Sequence, residues 1–337
     1  MMKQRSIAIV TVFLVLSCGT ASAQIYRLAQ MNSEQIAGLD KQKTVVIVPG
    51  GILEEHGPHL PSFTDGYSND WLAEKLAEAI VARPGLAVLL FPIIPLGHGG
   101  ANEIGGKYVF PGTYAVRRDT LRAVFMDLAG ELGEQGFRWI FVVHGHGSPF
   151  HNLILDQACD YFRDSYGGRM VHLRGLEPTP EQLSKLKLSP PKPVLSELES
   201  KENGVLDIHA GFEETSRLMF LRPDLVNPIY RTLAPFTAND STDLFRVGKA
   251  ANWRGYIGSP RRATASEGAQ LQQYRSAQDA ALALAILDGS LDEREIPRYS
   301  NMMLADKTVA KELEGASRHD AEIERKQRVW KQKKGVE

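Results

Sequence analysis

Hydrophobic positions along the chain follow two alternating rhythms. Thr44-Val45-Val46-Ile47-Val48 is an unbroken β-branched run ending at Pro49-Gly50-Gly51, the pattern of a strand buried on both faces. From Asn69 to Val81 the spacing changes, with Leu72, Leu76 and Ile80 recurring at every fourth residue as the stripe of a helix. The exchange then repeats. Ala87 to Phe91 reads as a strand, and Leu121, Val124, Phe125, Leu128 and Leu132 mark a helix stopped at Gly136. Arg138 to Val143 is a third strand, Asn152 to Phe162 a helix, and Arg169 to Leu173 a further strand. This alternation predicts an α/β fold, a mainly parallel central sheet flanked by helices on both faces. Ligands of such sheets sit beyond the carboxyl ends of the strands.

Three segments break the rhythm. Glu177 to Asn203 carries Pro178, Pro180, Pro190, Pro191 and Pro193 among Lys, Ser and Glu, which predicts an excursion over the surface. Asp306 to Glu337 is highly charged and helix-favouring, with Trp330 near its end, and reads as a solvated terminal helix. At the other end, Lys3 and Arg5 precede an apolar run, Ile7 to Leu16, too short to span a bilayer. Ala21-Ser22-Ala23 follows as a small-residue cleavage site. Residues 1–23 are therefore expected to be a signal peptide, with the mature chain starting at Gln24 in the periplasm or outside the cell. Val15-Leu16-Ser17-Cys18 fits a lipid-attachment sequence poorly, so no membrane association is expected after cleavage.

Composition narrows the function classes. With 43% hydrophobic and 23% charged residues, the chain is neither disordered nor fibrous. Its 39 basic and 40 acidic residues leave no excess that would mark a nucleic-acid binder. Cys18 and Cys159 cannot build a disulfide framework or a thiolate zinc site. Any metal must be held by His, Asp and Glu.

Of nine histidines, all but His319 lie between His56 and His209, grouped behind predicted strand ends. Glu54 and His56 are two residues apart, so on an extended backbone both point to one side and could serve adjacent metal ions. Left unpaired beyond a buried strand, they would be costly. Asp65 follows on the loop before the Asn69 helix, where its two oxygens could bridge two ions or cap the helix. His59 reads as a structural hydrogen-bonding residue. His144-Gly145-His146-Gly147 follows the third strand, with His146 the preferred ligand and the glycines leaving room for a close ligand approach. A third cluster pairs His209 with Glu213 and Glu214.

These motifs resemble the creatininase family of metal-dependent amidohydrolases. Glu54-x-His56-Gly57-Pro58-His59-Leu60-Pro61 with Thr64-Asp65 is similar to its opening signature. His146 sits where the family carries its Gly-His-Gly-Gly histidine. His209-Ala210-Gly211-x-x-Glu214-Thr215-Ser216 resembles the third motif, and Gly255, Gly258, Pro260, Arg261, Ala263 and Ala265 echo a C-terminal one. The resemblance covers roughly residues 42 to 290. It implies a three-layer α/β sandwich, a domain over 24–300 followed by the charged tail 301–337, and two divalent ions, zinc or manganese. It also implies a small-molecule amide substrate and assembly as a homo-oligomer.

Carried over by position, Glu54 and His146 would hold one ion, His56 the other, and Asp65 would bridge. A glutamate that creatininase places two residues after His146 is Ser148 here, so Glu214 becomes the candidate for the missing ligand and for a catalytic role. His209 would be the proton shuttle. Two ions about 3.5–4 Å apart would share a hydroxide that attacks an amide carbonyl. His144 stands where the family has Asn, and residues 140 to 252 contain no Trp to match those around creatinine. A cyclic amide or other C–N amide is the expected substrate. Peptidase activity on short peptides, or a non-catalytic metal- or ligand-binding role, are the competing readings.

Overall fold

The computed structural model describes residues 24–189 and 206–336. The predicted signal peptide and residues 190–203 of the Pro-rich excursion lie outside them. Five parallel strands form one sheet: β1 Ile25–Arg27, β2 Thr44–Pro49, β3 Ala87–Leu90, β4 Trp139–Val143 and β5 Arg169–His172, in the order β1-β3-β2-β4-β5. The helices are α1 Ser33–Ala37, α2 Thr64–Val81, α3 Arg118–Glu134, α4 Pro149–Tyr166, α5 Pro180–Lys185, α6 Phe212–Leu221, α7 Ser241–Lys249, α8 Ala265–Leu287, α9 Tyr299–Ala305 and α10 Lys307–Lys334.

The two-residue period of β2 sorts the core into two layers. Val45 and Ile47 pack with Leu72, Leu76 and Ile80 of α2 and Leu282 and Ile286 of α8. Val46 and Val48 point the other way, into Leu121 and Phe125 of α3 and Ile154 and Phe162 of α4. A sheet covered on both faces by helices is the sandwich the alternation predicts.

From β2 the chain crosses through α2 to β3, then returns over β2 through α3 to β4. Connections therefore leave β2 and β4 in opposite directions, which makes the carboxyl ends of this strand pair the switch point of the sheet. Glu54 and His56 follow β2, and His146 follows β4.

Two helices begin earlier than their apolar stripes suggest. α2 starts at Thr64, which moves Asp65 from the expected loop into the first helical turn, where a carboxylate faces the unpaired N–H groups. Gly51 allows this close docking, since a Cβ there would lie 2.7 Å from the Cα of Gly66. α4 starts at Pro149, whose missing N–H costs nothing at a first helical position. β1 has no counterpart in the predicted pattern: its three residues are too few to show a period, and they form an edge strand on β3.

Candidate metal centre

Three backbone-anchored segments bring the predicted residues together. Asn69, one turn beyond Asp65, donates to the carbonyls of Gly50 (2.8 Å) and Gly145 (3.0 Å) and accepts from the Gly145 amide, tying the end of β2 to the His146 loop. Asn152 donates to the carbonyls of His146 and Ser148 at 2.7 and 2.8 Å. His209 is fixed by reciprocal backbone bonding with Ile257. Next to it, Ala210 holds φ 47°, an unusual conformation for a residue with a Cβ, and its amide donates to Glu214 Oε2 at 2.6 Å.

All six predicted residues converge. His146 Nδ1 lies 3.1 Å from both Glu54 Oε2 and Asp65 Oδ2. His56 Nε2 lies 3.7 Å from Asp65 Oδ1 and 3.6 Å from Glu214 Oε2. His209 Nδ1 lies 3.7 Å from Glu54 Oε1 and 3.9 Å from Glu214 Oε2. Three groupings bring their ligand atoms within 4.8 Å of one another: Glu54, Asp65 and His146; His56, Asp65 and Glu214; and Glu54, His56 and His209. Asp65 belongs to the first two.

The three imidazoles share one arrangement. His56 Nδ1 donates to the Glu54 carbonyl (3.0 Å), His146 Nε2 to the Gly99 carbonyl (2.6 Å) and His209 Nε2 to the Glu55 carbonyl (2.6 Å). Each ring thus keeps its other nitrogen for the carboxylates, the orientation that outer hydrogen bonds impose on metal-ligating histidines. His56 Nε2 is buried and has no hydrogen-bond partner among the described residues. An oxygen and imidazole donor set without thiolate, with an orphaned imidazole nitrogen aimed into it, fits hard to borderline divalent cations such as manganese or zinc.

The carboxylates and imidazoles also perturb one another strongly. Burial works to raise Asp65, but hydrogen bonds to His146 and His56 hold it well below the ordinary carboxylate range. Burial lowers His209, yet Glu54, Glu55 and Glu214 override it and lift the imidazole to about 10. Charge this concentrated in a buried cluster singles it out as the candidate functional site.

The other histidines behave differently. His144 Nε2 donates to the Leu96 carbonyl, its Nδ1 accepts from His151 Nε2, and His151 Nδ1 accepts from the His98 amide. This chain needs both rings neutral, and burial pushes His144 down to about 3. His59 bonds the Ala210 carbonyl and Thr215 Oγ1, and burial lowers it to about 4. Motif spacing alone does not separate these rings from His146. Sequence reasoning also missed Glu55, Asn69 and Glu103. Burial and then Asp320 raise Glu103 to about 8 beside the site.

Two cavities meet at the cluster. One of about 200 Å³ is lined by Asp65, Asn69, His146, Glu214 and three arginines. The other, of about 100 Å³, has Glu54, His146 and His209 at its floor and an apolar wall that includes Leu244, Phe245 and Leu313. Part of that wall is α10. Val309 and Ala316 are buried, and His319 stacks on Tyr108 with ring centroids 4.1 Å apart. The expected solvated helix thus packs along its first half, while Val329 and Trp330 near its end are exposed.

A family model described as creatininase (creatinine amidohydrolase) matches residues 29–282. The chain belongs to the creatininase family. It is 28% identical over 235 residues to the mycofactocin precursor peptide peptidase of Mycolicibacterium smegmatis, covering 67% of this chain and 79% of that one. It is also 28% identical over 189 residues to the creatinine amidohydrolase of Pseudomonas putida, covering 54% and 66%. Among solved structures, a putative creatinine amidohydrolase from Bacteroides fragilis NCTC 9343 superposes with a TM-score of 0.53 at 21% identity, over 77% of this chain and 96% of that one. A manganese creatininase superposes with a TM-score of 0.54 at 20% identity, over 77% and 98%. These likenesses establish the creatininase fold and an amidohydrolase family. Helix α10 lies beyond the residues the family model matches.

Proposed function

We propose that this creatininase-family protein is an exported hydrolase that uses two divalent cations to cleave an amide C–N bond. One observation carries the reading: Asp65 stands between two ligand groups, so Glu54 and His146 would hold one cation and His56 and Glu214 the other. When bound, such cations supply a Lewis acid for the carbonyl and make water a nucleophile near neutral pH.

The chain's own groups do the rest. Asp65 and the orienting carbonyls of Glu54 and Gly99 fix the donor geometry before substrate arrives. His209 keeps Nε2–H on the Glu55 carbonyl and offers Nδ1 to a proton, the atom that would hand it to the departing nitrogen. Cations that share the charge of Glu54 and Glu214 would draw the raised His209 back toward neutral pH, where transfer is efficient.

Two cavities that meet at the cluster and share His146 and Glu214 favour an open-chain, short-peptide-like amide over a compact ring, as does the absence of Trp between residues 140 and 252. Cleavage after Ala23 would leave β1 intact, whose pairing begins at Ile25. The resemblance also leads us to expect a homo-oligomer, which light scattering would read directly.

The test is turnover of N-acyl dipeptides and lactams by the zinc- or manganese-loaded protein, beside His209→Asn. The variant should keep its metals and melting temperature and lose about 10²–10⁴-fold in rate. Wild-type turnover in the variant would remove His209 from the mechanism. Inactivity of the loaded wild type on both substrate classes would refute amide hydrolysis.

A further inference from the structure

The larger cavity holds a charge arrangement that metal binding does not explain. Arg174 lies in the turn after β5, Arg217 on α6 one turn beyond Glu214, and Arg275 on α8, and all three line the chamber that contains Asp65, His146 and Glu214. Arg174 is the anomaly. Its side chain is 12% exposed, and its Nε and Nη1 are buried without a hydrogen-bond partner among the described residues. The Nε of Arg217 is in the same condition, although its Nη2 bonds Glu213 at 2.9 Å. Buried donors of a cation left without acceptors are costly.

Neighbouring acids do not resolve it. Asp279 approaches Arg174 Nη1 only to 3.9 Å, an ion-pair separation beyond hydrogen-bond reach, and burial raises its pKa. Glu177 lines the wall, and Asp65 and Glu214 face the candidate cations. Burial, followed by the guanidinium of Arg275, pushes Arg174 down to about 9 against the pull of Asp279. The loop that carries His146 makes room for this guanidinium: a Cβ on Gly145 would lie 2.8 Å from Arg174 Nε.

We propose that this chamber binds a carboxylate borne by the substrate, gripped by Arg174 with Arg217 and Arg275. The planar fork of a guanidinium matches a carboxylate in two parallel hydrogen bonds, and no acceptor among the described residues comes within hydrogen-bond distance of Arg174 Nε or Nη1. The inference rests on the amide-hydrolase reading and narrows it: the scissile amide lies near a free carboxylate, as at the C-terminus of a short peptide or in an N-acyl amino acid. The apolar cavity then receives the other end of the substrate.

Calorimetric titration of the metal-loaded full chain with N-acetylleucine and with N-acetylleucinamide tests this without turnover. The acid should bind roughly tenfold or more tightly than the amide. Arg174→Met should erase that preference. Arg275→Met, on a half-buried helix position, should weaken it and guards against misfolding of the first variant. Equal binding of acid and amide by the wild type, no binding of the acid, or a preference that survives in both variants overturns the proposal. Inorganic phosphate binding more tightly than the acid overturns it in favour of a phosphorylated ligand. A protein that prefers the acid yet cleaves no amide refutes the hydrolase reading alone.

Discussion

Replacing Asp65 by alanine perturbs the centre at the residue both ligand groups share. The proposed site sets three carboxylates, Glu54, Asp65 and Glu214, against two divalent cations. Asp65→Ala would leave two carboxylates and reduce each group from three protein ligands to two. Losing an outer partner of a metal ligand costs about 10–100-fold in affinity. Losing a direct anionic ligand should reach at least the upper end for each ion, about 100-fold or about 2.8 kcal/mol. At a free-metal concentration about ten times the wild-type Kd, occupancy at each position should fall from about nine-tenths to about one-tenth. Dialysis against buffered zinc or manganese followed by elemental analysis reads this, with Asp65→Asn as a size-matched control for folding. Two ions retained would refute the shared-carboxylate assignment. One retained would place Asp65 on a single ion.

Other outcomes follow from the same geometry. Glu214→Gln should strip one ion by elemental analysis and leave the one held by Glu54 and His146; retention of both with lost turnover would make Glu214 a base instead of a ligand. Mass spectrometry of the exported protein should find its N-terminus at Gln24, and a lipid on Cys18 would contradict this. Leu313→Arg should lower kcat/KM on apolar substrates by roughly tenfold or more with metals retained, because α10 walls the smaller cavity; unchanged kinetics would remove the helix from the substrate's path. His59 sets an acid limit. Its folded pKa, about 4, lies below the unfolded value near 6.5, so below pH 6.5 the unfolded chain binds the extra proton. Stability contributed above pH 6.5 is then lost as pH falls toward 4, by about 2 kcal/mol at pH 5. Thermal melts of wild type and His59→Gln should show the variant with the shallower decline between pH 6.5 and 5, and parallel declines would refute the assignment.

The layers and the location of the chemistry were legible in residue spacing alone. β-branched runs and four-residue stripes report burial within one element, so strands, helices and the two-faced sheet could be read from them. Glu54, His56 and His146 could be placed beyond strand ends because they follow those runs directly. Features that depend on partners distant in the chain emerged only once the chain had folded. Three residues of β1 carry no periodic signal and become a strand only by pairing with β3. His144 and His146 are two residues apart, yet one bonds Leu96 in a neutral buried chain and the other turns to Glu54 and Asp65, because backbone carbonyls from other loops choose which ring nitrogen is free. Arg174, Arg217 and Arg275 look like ordinary solvated charges in sequence. They line one chamber because the turn after β5, α6 and α8 meet there, and burial takes water from Nε and Nη1 of Arg174 and from Nε of Arg217. The charged terminal helix likewise shows its solvent-loving composition, while the few apolar side chains of its first half take their role from the cavity they cover.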